Sequence, residues 1–200
     1  MKKRSEQGGI TISTLLDDAI IFAVNAHSGM QRKRSSVPYI LHPMEVAAIV
    51  GTMTGDEEVI AAAMLHDTVE DTPVTAEQIL ERFGPRVAEL VASETEDKRP
   101  GIPPSESWRI RKEESLDVLR RSTDRDVKIL WLADKLSNMR SFFRAWRIKG
   151  NAVWNDFNQK DPVLQAWYYR SISELLSELK GYEAWQEYDT LVNMVFEGVS

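Results

Sequence analysis

Two hundred residues, 42% apolar and 28% charged, describe an ordinary globular chain with room for a sizeable core. A formal net charge of −6 argues against a broad nucleic-acid-binding face, which needs an excess of Lys and Arg, but not against an anionic small molecule held by a few local cations. The absence of Cys excludes disulfides and thiolate metal sites, so any metal falls to carboxylates and the three His.

Residues 1–10 open with MKKRSEQGG, are polar and are expected to be mobile, while 11–200 reads as a single domain. Residues 10–13 suffice only for a short strand, and helix or coil is expected there. Leu15, Leu16, Ala19, Ile20, Ala23 and Val24 recur at helical spacing and define one face of a first helix. The apolar run 19–26 contains Asn25 and falls well short of the ~20 residues of a membrane span. With no secretory signal before it, a cytoplasmic protein without membrane attachment is expected.

Residues 44–53 and 59–69 give a second and a third helix. Thr75-Ala-Glu-Gln78 is a capping box that opens a short helix, and Gly84-Pro85 ends it and starts the next. A long helix is expected over 106–121. Val127, Ile129, Leu130, Leu132, Ala133 and Leu136 mark another, apolar on more than one side and therefore central. Asp161-Pro162 caps and starts the penultimate helix, and Gly181 separates it from the last. No run alternates with period two and no Asn-Gly or Asp-Gly turn occurs, so the expected fold is an all-α helical bundle. The six Trp are expected to serve packing. Two long loops, 28–41 and 96–105, are the expected places for function.

Three places carry residue types that chemistry needs. His66-Asp67 follows Ile60-Ala-Ala-Ala-Met-Leu65, a run bound for the core. Neighbours on a helix diverge by ~100°, yet an ion in the wedge between them touches both. Glu70 and Asp71 stand one turn on from His66 and Asp67. So many ionisable groups beside a core run need compensation, which a metal supplies. A helix end running into solvent, with His66 half-buried for packing, is the alternative. In Leu132-Ala-Asp134-Lys-Leu-Ser-Asn138, Asp134 and Asn138 share one side of a largely apolar helix. A buried Asp needs a cation or several donors: a metal, or an internal pair with Lys135 or Arg140. Asn138 is placed to reach a substrate hydroxyl or to orient a water. In Pro38-Tyr39-Ile-Leu-His42-Pro43 the proline stands His42 at the mouth of a helix, as a ligand or as a satisfied core residue. His27 has less support and is taken as structural. Two imidazoles and two carboxylates together make a four-ligand set for a borderline divalent ion such as Mn, Fe or Zn.

These pieces occur in a fixed order: Ala26-His27-x-Gly29, Pro38-Tyr-Ile-x-His42-Pro43, Leu65-His66-Asp67-x-x-Glu70-Asp71-Thr72 and Leu132-Ala-Asp134-x-Leu-x-Asn138-Met139-Arg140. Phe83-Gly84 before Val87-Ala88, Thr95-Glu-Asp-Lys98 and Ser107-Trp108-x-x-Arg111-Lys112 agree with them. From about residue 15 to 180 the chain resembles the HD-type hydrolase domain of the RelA/SpoT superfamily, and its length resembles the small alarmone hydrolases. The resemblance implies an HD-domain helical bundle, usually with Mn²⁺, that hydrolyses the 3′-pyrophosphate of guanosine tetra- or pentaphosphate. It implies His42, His66, Asp67 and Asp134 as metal ligands, and Glu70-Asp71 as the pair that activates or positions water and relays protons. It places Asn138 near the nucleotide, Arg32-Lys33 and Lys98 as substrate contacts, and Tyr168 at the pocket wall. Two features depart from the family pattern. Met30-Gln31 follows Gly29 where the family often reads Gly-Gln, and the adjoining loop 32–37 varies in length among relatives, which leaves Arg34 as a substitute for Arg32 or Lys33. No synthetase activity is expected, and a homo-oligomer stays open. The competing readings are an HD phosphohydrolase for another nucleotide (a nucleotidase, a (p)ppApp hydrolase or an NADPH phosphatase) and a catalytically silent nucleotide-binding module.

Overall fold

The computed structural model describes residues 14–32 and 36–199. The expectations for residues 1–13, and for Lys33 and Arg34, lie outside the described residues. Within them the chain is helical almost throughout: α1 (Thr14–Ala26), α2 (Leu41–Val50), α3 (Glu57–Leu65), α4 (Thr68–Asp71), α5 (Ala76–Glu94), α6 (Pro104–Arg121), α7 (Arg125–Lys149), α8 (Pro162–Leu175) and α9 (Glu183–Val195). Extended pairing among the described residues is limited to an isolated bridge between Gln31 and Pro38. The all-α expectation holds.

Local chemistry sets the helix ends. Thr75 accepts from the Gln78 amide while the Gln78 side chain accepts from the Thr75 amide, the reciprocal capping box expected from sequence. Gly84 interrupts α5 at φ 85°, a conformation open to glycine, and Pro85 restarts the helix. Asp161 accepts from the Val163 amide ahead of Pro162.

Two helices differ most from expectation, the second shifted to Leu41–Val50 and the third cut short. The second helix begins at Leu41, so His42 and Pro43 lie in its first turn, where a missing proline N–H costs nothing. The third does not run through to 69: α3 closes at Leu65, and α4 is a single turn beyond it. Thr68 Oγ1 donates to the Leu65 carbonyl at 2.6 Å, which satisfies an acceptor freed at the break.

The buried hydrophobics form one contiguous cluster. Ala61, Ala62 and Ala63 are fully enclosed, and their small side chains let α1, α2, α5 and α7 pack around α3. Leu130, Leu132, Leu136 and Met139 make α7 the second central element. Helix α2 packs on both, so the three helices carrying His42, His66 and Asp134 meet at one place. On the far side of α7, Phe142 meets Trp154 at 5.3 Å and Phe157 at 4.8 Å, and α9 closes the layer. All six Trp lie in the core or pack against it. Among the described residues no helix is long and apolar enough to cross a membrane.

Leu132→Ala, which empties a fully buried position on α7, is expected to cost about 2–5 kcal/mol, and Thr75→Ala, which removes a cap, about 1 kcal/mol. Urea unfolding monitored by circular dichroism checks both magnitudes and their order.

Candidate metal centre and active site

Three helices bring their polar residues to one point. His42 comes from the first turn of α2, His66 and Asp67 from the break between α3 and α4, and Asp134 from the middle of α7. His42 Nε2 lies 3.0 Å from Asp134 Oδ1 and 3.5 Å from Asp67 Oδ2. His66 Nε2 lies 3.1 Å from Asp67 Oδ2 and 3.6 Å from Asp134 Oδ1. One donor atom each from His42, His66 and Asp134 falls within 4.8 Å of the others. The two imidazoles and Asp134 are buried, and Asp67 is half-buried.

The hydrogen bonds behind these groups decide which atoms face the centre. His66 Nδ1 is 2.8 Å from the Ala63 carbonyl, which only accepts, so Nδ1 keeps a proton and Nε2 is the nitrogen that would give up its proton and offer a lone pair to a metal. That Nε2 is buried and has no hydrogen-bond partner. Asp134 is held on both oxygens: Lys135 donates to Oδ2 at 2.5 Å and Asn138 Nδ2 to Oδ1 at 2.7 Å. Lys135 is the internal partner that the sequence offered as an alternative to a metal, and it occupies only the oxygen facing away from the imidazoles.

The charges agree with this geometry. Burial works against a charged His66, but the Asp67 and Asp134 carboxylates outweigh it and hold its pKa well above the ordinary imidazole range. Burial likewise opposes ionised Asp67, and the two imidazoles overcome it, so this carboxyl sits below its usual range. The group calls for positive charge. An orphaned buried imidazole nitrogen facing two carboxylates is a donor set that fits a borderline divalent cation.

Beside this centre lies a second group. The Tyr39 hydroxyl is 2.6 Å from Asp67 Oδ2 and 2.8 Å from Asp71 Oδ2, so one proton is shared between two carboxylates. Lys98 Nζ contacts Asp71 Oδ1, the Glu70 carbonyl at 2.9 Å and Glu70 Oε1 at 3.4 Å. Glu70 also accepts from the Glu96 amide at 3.2 Å. Burial and the Asp67 charge raise the Glu70 pKa, against the pull of that amide and of Lys98. Arg32 Nη2 donates to Asn138 Oδ1 at 2.9 Å, and its guanidinium stands 5.6 Å from the centre of the Tyr39 ring. The Asn138 amide therefore bridges Asp134 and Arg32.

Of the residues expected in the site, His42, His66, Asp67, Asp134, Asn138 and Arg32 come together, with Glu70, Asp71 and Lys98 joined to them through Tyr39. Lys33 lies outside the described residues. Tyr168, expected at the pocket wall, is packed in the core: 3% exposed, its hydroxyl enclosed without a partner, its ring against Trp108 and Lys112. His27 is buried, its ring tilted against that of Tyr39 with centroids 4.9 Å apart.

Several participants went unassigned in the sequence. Tyr39 stands in the Pro-Tyr-Ile motif, three residues before His42, and that spacing was the available signal. Ser137, three residues after Asp134, contacts His42 Nδ1 at 2.9 Å. Glu94, from the end of α5, meets Lys135 at 3.1 Å, and no local pattern announced that long-range pair. Glu96 gathers Arg111, Lys112 and Ser115 at 2.8, 2.5 and 3.0 Å, binding the 96–105 loop to α6.

A bundle of helices carrying a His-Asp pair and a converging His and Asp defines the HD class of proteins. The chain belongs to the HD-domain family, whose profile, described as HD domain, matches residues 19–163. It is 41% identical over 129 residues to the GTP pyrophosphokinase rsh of Brucella ovis, a match covering 64% of this chain and 17% of that protein. It is 38% identical over 122 residues to the guanosine-3′,5′-bis(diphosphate) 3′-pyrophosphohydrolase of Aquifex aeolicus, covering 61% and 17%. The matched part spans about one sixth of those relatives' length. Among solved structures, lmo0812 from Listeria monocytogenes EGD-e superposes with a TM-score of 0.68 at 35% identity, covering 80% of this chain and 96% of that one. A metazoan ortholog of SpoT, described as hydrolysing ppGpp, superposes with a TM-score of 0.70 at 24% identity, covering 96% and 100%, and agrees in fold.

Burial raises the Glu94 carboxyl to about 8, against the opposing pull of Lys135. The folded chain thus holds a proton that the unfolded chain releases. The associated stability is present below pH ~4.5 and is lost as pH rises through ~8. Denaturation midpoints of the metal-free protein across this range are expected to fall with pH relative to those of Glu94→Gln, and parallel profiles would contradict the assignment.

Proposed function

We propose that the protein is a metal-dependent phosphohydrolase that removes the 3′-pyrophosphate of guanosine tetra- or pentaphosphate, giving GDP or GTP and pyrophosphate. The observation that carries this reading is the convergence of His42, His66, Asp67 and Asp134 from three helices, with Glu70, Asp71 and Lys98 grouped at its edge. The names of the Aquifex relative and of the metazoan structure support the same substrate.

His42, His66, Asp67 and Asp134 would hold a divalent ion, for which the family resemblance implies Mn²⁺. A divalent cation there supplies Lewis-acid chemistry, drawing charge from phosphoryl oxygens and acidifying water within reach. The chain's own residues handle protons and position the substrate. A water oxygen forms the new bond to phosphorus as Glu70 or Asp71 takes its proton. The bond from phosphorus to the ribose 3′ oxygen breaks, and the same acidic pair returns the proton to that oxygen. A raised Glu70 pKa suits this exchange, because a group that both accepts and releases a proton works best near the ambient pH. Tyr39 keeps Asp71 beside Asp67, and Lys98 keeps the pair together while offsetting phosphate charge. Arg32, with Lys33 next to it, and Asn138 contact the nucleotide, the Asn138 amide being oriented by Asp134 and Arg32.

Incubating Mn²⁺-replete protein with ppGpp, pppApp and NADPH side by side, and following phosphate products, tests the substrate. Pyrophosphate release from ppGpp in clear preference to the other two is expected. Preference for another substrate would replace the guanosine reading, and binding without any phosphate product would favour a silent nucleotide-binding module. Asp67→Ala and His66→Ala are each expected to lose roughly a thousandfold or more in turnover while keeping the helical circular dichroism spectrum. Full Mn²⁺-dependent turnover by Asp67→Ala would show the assigned site to be wrong.

A further inference from the structure

We propose that Ser137 and Glu45, secured by Arg140 and Glu187, form a relay that positions His42 as a metal ligand, an inference resting on the metal centre proposed above. His42 Nδ1 and Ser137 Oγ lie 2.9 Å apart, both buried, and Ser137 Oγ donates to Glu45 Oε2 at 2.7 Å. Arg140 Nη1 donates to the other Glu45 oxygen at 3.1 Å, while Nε and Nη2 of the same guanidinium grip the Glu187 carboxylate at 2.7 and 2.5 Å. The chain of contacts runs from the core to the half-exposed side chains of α2 and α9.

The direction of each bond follows from counting protons. A carboxylate only accepts, so the single hydroxyl proton of Ser137 goes to Glu45, and the serine oxygen is left with lone pairs for the imidazole. His42 must then carry its proton on Nδ1, which leaves the Nε2 lone pair facing Asp67 and Asp134. His66 obtains the same tautomer from the Ala63 carbonyl, which side-chain substitution cannot remove. His42 depends on side chains alone. Without the Glu45 acceptor, the Ser137 hydroxyl is free to donate into Nδ1, and the ring proton then belongs on Nε2, where it closes the ligand position. The bidentate grip of Glu187 fixes the Arg140 guanidinium and so fixes Glu45. By this route α9, which contributes none of the candidate ligands, bears on the metal centre.

Calorimetric titration of the metal-stripped, full-length protein with Mn²⁺ tests the relay. Ser137→Ala and Glu45→Ala are expected to weaken Mn²⁺ binding by about 10- to 100-fold, while Glu45→Gln, which keeps an acceptor oxygen, stays within about threefold of the unaltered protein. Glu45 is half-exposed, so its variants keep the test open if Ser137→Ala disturbs the core. Folded Ser137→Ala that binds as tightly as the unaltered protein would overturn the relay. Glu45→Gln as weak as Glu45→Ala would also overturn it, because the lost charge against Arg140 would then be the cause. Failure of the unaltered protein to take up Mn²⁺ would overturn the metal centre and the relay with it, so the unaltered protein decides the first and the variants the second.

Discussion

The constraint on which this structure turns is the meeting of two imidazole nitrogens and two carboxylate oxygens inside a helical core. Ionised groups away from water are tolerated only when each has a partner of opposite sign or a full set of hydrogen bonds. Here three outward-facing atoms are served: His66 Nδ1 by a carbonyl, His42 Nδ1 by Ser137, and Asp134 Oδ2 by Lys135. The inward-facing imidazole nitrogens lie 3.0–3.6 Å from the inward-facing carboxylate oxygens, with His66 Nε2 lacking a hydrogen-bond partner of good geometry. Polar satisfaction on one side and crowding on the other is what a cation site requires of its protein.

The fold is arranged to deliver these atoms. An alanine-rich α3 lets its neighbours approach closely, the break after Leu65 turns His66 and Asp67 toward one point, and α2 lies against both α3 and α7. Charge is then layered around the centre. On the core side Lys135 stands between Asp134 and a Glu94 whose carboxyl burial pushes up to about 8. On the open side Tyr39 ties Asp67 to Asp71, and exposed Lys98 covers Glu70 and Asp71. The buried half of the network fixes the geometry of the candidate ligands, and the exposed half holds the groups proposed to exchange protons with substrate.

Much of the helical frame was legible because the signals were local. Thr75-Gln78, Gly84-Pro85 and Asp161-Pro162 each specify backbone conformation within a few residues, and each formed as expected. The missed boundary at 65–68 has a different cause. The apolar pattern continues through Val69, and the break depends on a serine-like use of the Thr68 hydroxyl and on groups arriving from α2 and α7. The four residues converging at the centre were named from their chemistry and motif order, but each alone had an equally ordinary structural explanation. Their supports were harder to see. Ser137 and Glu45 acquire meaning only when α2 and α7 are side by side, and Glu94 meets Lys135 across 41 positions of chain. Tyr168 shows the converse difficulty: an aromatic residue near a basic motif reads the same in sequence whether it lines a pocket or is enclosed in the core, as it is here.

The central claim, that these three helices build one divalent-cation site, is most directly tested by anomalous diffraction from crystals soaked in Mn²⁺. The account predicts a single strong peak within ~2.0–2.3 Å of His42 Nε2, His66 Nε2, Asp134 Oδ1 and an Asp67 oxygen. A peak elsewhere, or coordination through His42 Nδ1 or Asp134 Oδ2, would contradict it.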